Sequence, residues 1–157
     1  MANKQFDRLD LSILKMLSEN ARKPFLEIAR MTGVSGAAVH QRVQKLLGTG
    51  VITGFETRLN PQAIGYNTCA YVGLFLKDLA DFESVIEHLK EVPEIVECHC
   101  TTGGYDLFIK VYARNNDHLL NLIRNDIQPL GVERTETVIS FKVVFERKVG
   151  ISRNNNN

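Results

Sequence analysis

Leu9, Ile13, Leu14 and Leu17 recur at three- and four-residue steps, the buried stripe of an amphipathic helix. Asp7 or Asp10 is placed to cap its start. Ala21 to Lys23 reads as a turn, and Pro24 suits the first position of a second helix. That helix buries Phe25, Ile28 and Ala29 and stops at Gly33. Ser35 caps a third helix only two residues later. Two short helices joined through Gly33-Val34-Ser35 predict a helix-turn-helix. Gly48-Thr49-Gly50 ends the third helix. Val51 to Leu59 follows as an apolar/polar strand pair around Gly54, the pattern of a wing.

From Asn67 the hydrophobic period changes to two. Thr68 to Leu76 predicts a strand, and Phe82, Val85, Ile86 and Leu89 predict a helix. Ile95 to Thr101 and Tyr105 to Ala113 form a hairpin about Gly103-Gly104. Leu119, Leu122, Ile123 and Ile127 mark a second helix, stopped by Pro129 and Gly131. Thr135 to Phe145 is the last strand. The order β-α-β-β-α-β is that of a ferredoxin-like fold. The whole is an α+β chain: a winged helix-turn-helix over 1–59, a linker over 60–66, a ferredoxin-like domain over 67–150, and a disordered polyasparagine tail over 151–157.

The third helix carries the first candidate chemistry. Val39, Val43, Leu46 and Leu47 fall on one stripe and face a core. The opposite side begins small, with Ala37 and Ala38, and continues with Gln41 and Gln44. Such a face fits a major groove, where amide side chains pair with an adenine edge. Arg42, Lys45 and, on the wing, Arg58 can reach phosphates, as can Ser35, Gly36 and the free N–H groups of the first turn. His40 lies at the edge of the stripe, for packing or a phosphate contact. The bland reading of the same residues is a three-helix bundle with a solvated polar face.

Charge sharpens the picture. Residues 1–60 hold nine basic and five acidic side chains, a balance of +4; residues 61–157 hold ten and thirteen, a balance of −3. A basic head on an acidic body suggests that one end meets a polyanion. At 44% hydrophobic and 24% charged, the chain has the composition of a globular protein. Its longest apolar run, Ala70 to Leu76, is far short of the roughly 20 residues needed to cross a bilayer. MANKQFDRLD has no apolar secretory segment, and three Cys do not make a disulfide scaffold. A cytoplasmic protein with reduced thiols, without membrane contact, is the expectation.

The segment from Leu9 to Tyr66 resembles the N-terminal half of the Lrp/AsnC family of transcription factors. Leu9-Asp10, Ile13-Leu14, Asn20-Ala21-Arg22, Ile28-Ala29, Val34-Ser35, Val39, Arg42-Val43, Leu46, Gly50-Val51-Ile52 and Leu59-Asn60-Pro61 carry the likeness. Asn60 stands where the family more often has Asp, and Gly48 replaces a usual charged residue. The family's effector domain has the same β-α-β-β-α-β order.

In the second half, Thr101-Thr102-Gly103-Gly104-Tyr105-Asp106 is the sharpest local feature. Glycine-freed N–H groups can cradle a carboxylate, and the threonine hydroxyls with Asp106 could receive an ammonium. A simple hairpin with a structural Asp explains the same residues. The resemblance implies an amino-acid effector between dimers at this hairpin, helped by Arg134-Thr135-Glu136-Thr137. Strands apolar on both faces need a cover, and a second copy is the economical one. The resemblance implies further assembly, a tetramer of dimers. Cys98-His99-Cys100 alternates across a strand, so no metal site is expected; buried or half-buried thiols are. His88 and His118 read as solvent-facing. No catalytic constellation and no cofactor motif is present.

The expected function is a sequence-specific regulator of transcription that binds double-stranded DNA and responds to a small amino acid. The rivals are an architectural DNA-binding oligomer of weak sequence preference and an amino-acid-binding regulatory subunit of a metabolic enzyme.

Overall fold

The structure, a computed structural model, describes residues 6–151. Two compact units emerge: residues up to Arg58 with those from Arg147, and Leu59–Glu146.

The helical unit contains α1 (Arg8–Glu19), α2 (Phe25–Thr32) and α3 (Gly36–Gly48). A reciprocal cap starts α1. The Asp7 carboxylate accepts from the Asp10 N–H at 2.8 Å, and the Asp10 carboxylate accepts from the Asp7 N–H at 3.4 Å. Pro24 stands one residue before α2, as its cap. Gly33 ends that helix at φ +71°, and the Ser35 hydroxyl then accepts from the Ala38 N–H at 3.1 Å to start α3. Ile13, Leu17, Ile28, Ala29, Val39, Val43 and Leu46 form one core, as the periodicity predicts.

The wing strands are not formed. Residues 51–60 carry no ladder, although Glu56 and Lys148 pair at 2.8 Å across this unit. A two-residue hairpin needs left-handed backbone at its turn, and Gly54 does not adopt positive φ.

The second unit contains β1 (Thr68–Leu76), α4 (Phe82–Lys90), β2 (Ile95–Cys100), β3 (Leu107–Ala113), α5 (Asn116–Asn121) and β4 (Val132–Ser140). The sheet is antiparallel in the order β2-β3-β1-β4, the ferredoxin-like arrangement. A π-helical turn, Leu122–Ile127, extends α5. Ala70, Val72, Leu74 and Leu76 meet Leu107, Ile109 and Val111 on the helix side, against Val85, Leu89, Leu119, Leu122 and Ile127.

The last strand differs from expectation. It starts at Val132, not Thr135, and stops at Ser140, not Phe145. Its partner runs out: Ser140 faces Cys69, one residue from the start of β1. Phe141, Val144 and Phe145 are therefore left exposed. The polyasparagine residues lie outside the described residues; Ile151 has no regular structure. The expected linker over 60–66 is a short 3-10 turn, Gln62–Ile64, within the second unit.

Candidate nucleic-acid interface and ligand site

Val39, Val43 and Leu46 are buried in α3, so its other side is fixed outward. Ala37, His40, Gln41, Gln44 and Lys45 are exposed there; Gly36 and Ala38 are half-buried, while Ser35 is exposed as the cap. His40 packs its ring 6.0 Å from that of Phe25. Arg58 lies on the stretch without regular structure that follows α3, not on a wing strand.

Arg42 corrects the expectation of a freely available phosphate contact. Its guanidinium donates to the Asp7 carboxylate and, at 3.1 Å, to Asp10. The Asp10 N–H first, then Arg42, holds the Asp7 carboxyl below the usual range. Arg42 therefore ties the recognition helix to the start of α1. Asp10 is buried, so this tie sits at the rim of the core.

In the second unit the helix-free side of the sheet is aromatic. Tyr71 stacks on Phe108 at 5.9 Å, Phe108 on Tyr105 at 5.7 Å, and Tyr105 meets Phe75 edge-on at 5.3 Å. Gly73 permits this. A Cβ there would lie 2.3 Å from the Tyr105 ring, so only glycine lets the ring lie on the strand. Across this side, Lys110 is buried and donates to Glu97 at 3.1 Å. Burial opposes both charges, but the pair outweighs it: Lys110 is held above and Glu97 below its ordinary range.

The hairpin residues divide by role. Asp106 is structural: its carboxylate accepts from the Leu76 N–H at 2.8 Å, where the β1–β4 register slips between Phe75 and Leu76. The Thr101 hydroxyl donates to the Tyr105 carbonyl at 2.8 Å. Thr102, Gly103 and Gly104 form the exposed tip, with Gly103 at φ +111°.

The first half of β4 also divides. Arg134 faces Phe75 and Glu136 faces Gly73 in register, on the aromatic side. Thr135 and Thr137 face Leu74 and Val72, on the helix side. Tyr105 donates its hydroxyl to Glu136 at 2.9 Å, and Arg134 donates to the other Glu136 oxygen at 2.8 Å. The Glu136 carboxylate pushes the Tyr105 phenol up. Arg134 also stacks over Phe75, 3.8 Å from the ring centre. Tyr105, Arg134 and Glu136 thus converge, while Thr135 and Thr137 do not join them. Gly73 and Phe108 complete the group unforeseen; a glycine inside an apolar strand was the available signal.

Cys98 and Cys100 are exposed on the edge strand, not buried, and only Cys69 is half-buried. His118 is not solvent-facing: it is half-buried, accepts from the Arg114 N–H at 3.1 Å and lies 3.7 Å from Glu94. Among the described residues no cluster of three His, Cys, Asp or Glu could hold a metal, and no helix is long and apolar enough to cross a membrane.

A helix-turn-helix with a small, amide-bearing outer face, in one chain with a ferredoxin-like sheet, defines a DNA-binding regulator with its own ligand-binding domain. Residues 6–47 match the AsnC-type helix-turn-helix domain, and residues 69–149 match the Lrp/AsnC ligand binding domain. The chain is 38% identical over 150 residues to the regulatory protein AsnC of Escherichia coli K12, covering 95% of this chain and 99% of the relative. It is 40% identical over 140 residues to the transcriptional regulator Ptr1 of Methanocaldococcus jannaschii, covering 87% and 94%. The solved structure of E. coli AsnC superposes with a TM-score of 0.85 at 36% identity, over 92% of this chain and 98% of that one. The same fold, at 18% identity and a TM-score of 0.86, is found in a Neisseria meningitidis regulator solved with L-Met, over 96% of this chain and 98% of that one. The chain belongs to the Lrp/AsnC family of transcriptional regulators.

Proposed function

We propose that α3 reads duplex DNA through Gln41, Gln44 and Lys45, with Ala37 and Ala38 allowing close approach, and that a small amino acid regulates it. The first-turn N–H groups with Ser35 and Gly36, and the side chains of His40 and Arg58, meet the phosphates. Arg42 acts by holding α3 on α1. The effector binds at the hairpin, with Tyr105 and Arg134 as donors and Gly103-Gly104 as the open backbone. The threonines of the loop and of β4, with Asp106, shape the strands around it. A second copy covers the aromatic sheet side, and dimers assemble further, as a tetramer of dimers in the cytoplasm. Ligand binding at the seam between dimers shifts that assembly or its affinity for DNA. No resident cofactor takes part.

The single supporting observation is the exposure of amides on a helix whose other side is locked into a core. The test uses a duplex that the protein itself selects from a random pool. Replacing Gln41, Gln44 and Lys45 together by Ala abolishes preference for that duplex over a random one. Retention of the preference refutes the α3 assignment. A steep salt dependence without sequence preference in the unaltered protein would instead mark an architectural binder. For the effector, Gly104→Val removes the response to amino acids and spares DNA binding; an unchanged response moves the site elsewhere.

A further inference from the structure

Two of the groups at the hairpin are held by the framework, and a third is held only by them. The Tyr105 ring is seated on Gly73, where no side chain could take its place. The Arg134 guanidinium lies on the Phe75 ring. Neither of these supports involves Glu136. Glu136 has neither support: its carboxylate is secured by one hydrogen bond from each donor, one per oxygen. This is the arrangement a ligand's carboxylate would need.

We propose that Glu136 is a built-in competitor, occupying the carboxylate position of the empty site, and that an amino-acid effector binds by displacing it with its own α-carboxylate. The proposal rests on the hairpin as effector site and adds how that site is regulated. The loop leaves this role to Glu136, because Asp106 and Thr101 are engaged with backbone groups. Arg134 and Glu136 are 60% and 44% exposed, so their pairing is weak and exchangeable. Glu136 thereby sets the effector concentration at which the protein responds.

The experiment measures calorimetric binding of each of the twenty amino acids, and of their α-amides, to the full chain and its variants. With Glu136→Gln, the amino acids that bind do so about two- to five-fold more tightly, the factor expected for removing an exposed charge pair of up to about 1 kcal/mol. Glu136→Asp, retracted by one methylene, falls between. Any α-amide that binds gains by the same factor, because it too must displace the Glu136 carboxylate, and Arg134→Gln loses binding. An unchanged or weaker affinity in Glu136→Gln, while the unaltered protein binds, overturns the competitor role and leaves the effector site standing. A gain confined to the amino acids overturns it too, because Glu136 then only repels the ligand's charge and does not occupy its position. Binding by neither protein overturns the site itself and the proposal with it.

Discussion

In each unit an arginine is paired with carboxylate, and the two pairings behave as opposites. In the helical unit Arg42 joins Asp7 and a buried Asp10, carboxylates more than thirty residues away in the chain. Both partners also serve the cap of α1. In the sheet unit Arg134 meets Glu136 two residues along the same strand, and both are solvated. The first pair records the tertiary structure; the second leaves it unaffected. Location and not charge decides whether an ion pair is a strut or an exchangeable contact.

The contrast can be tested from its largest consequence downward. Converting Gln41, Gln44 and Lys45 to Ala lowers affinity for the selected duplex by about a hundred-fold or more, taking about 1–3 kcal/mol for each base contact. Fluorescence anisotropy reads this, and the thermal midpoint stays put. Gly73→Ala forces the Tyr105 ring off β1, a steric conflict worth about 1–3 kcal/mol in chemical denaturation. It also removes the amino-acid response. Arg42→Gln leaves the buried Asp10 without its cation and lowers the thermal midpoint of the helical unit, whereas Arg134→Gln leaves the midpoint of the sheet unit unchanged. Equal shifts in the two variants would break the comparison.

The smallest effect is on pH. The carboxyls of Asp7 and Glu97 are held below their ordinary values in the folded chain. Their stabilisation is complete above the unfolded range, about 3.9 for Asp and 4.3 for Glu, and disappears as pH falls through the lowered native values. Thermal midpoints therefore fall below about pH 4 in both units. Asp7→Asn keeps a cap but drops the charge, and flattens that fall in the helical unit alone.

Much of this was legible in the residues. The stripe of α3, the cap at Ser35 and the stop at Gly33 depend on neighbours in the chain, and each is found where the periodicity puts it. The six-element order of the sheet unit follows from the change of period at Asn67. What was not legible depends on distant partners. The last strand stops at Ser140, opposite Cys69 near the start of β1, although Phe141 to Phe145 continue the apolar pattern. Arg42 reads as a phosphate ligand until Asp7 and Asp10 are brought beside it. Thr135 and Thr137 read as companions of Arg134 and Glu136, but the pleat sends them to the other side.

Asp106 carries a mechanical corollary. By fastening the tip-proximal end of the hairpin to the main chain at Leu76, it denies that loop an independent swing. Whatever arrives at the hairpin pulls on a central strand of the sheet, so a signal taken up at one solvent-facing corner enters the rigid middle of its unit directly.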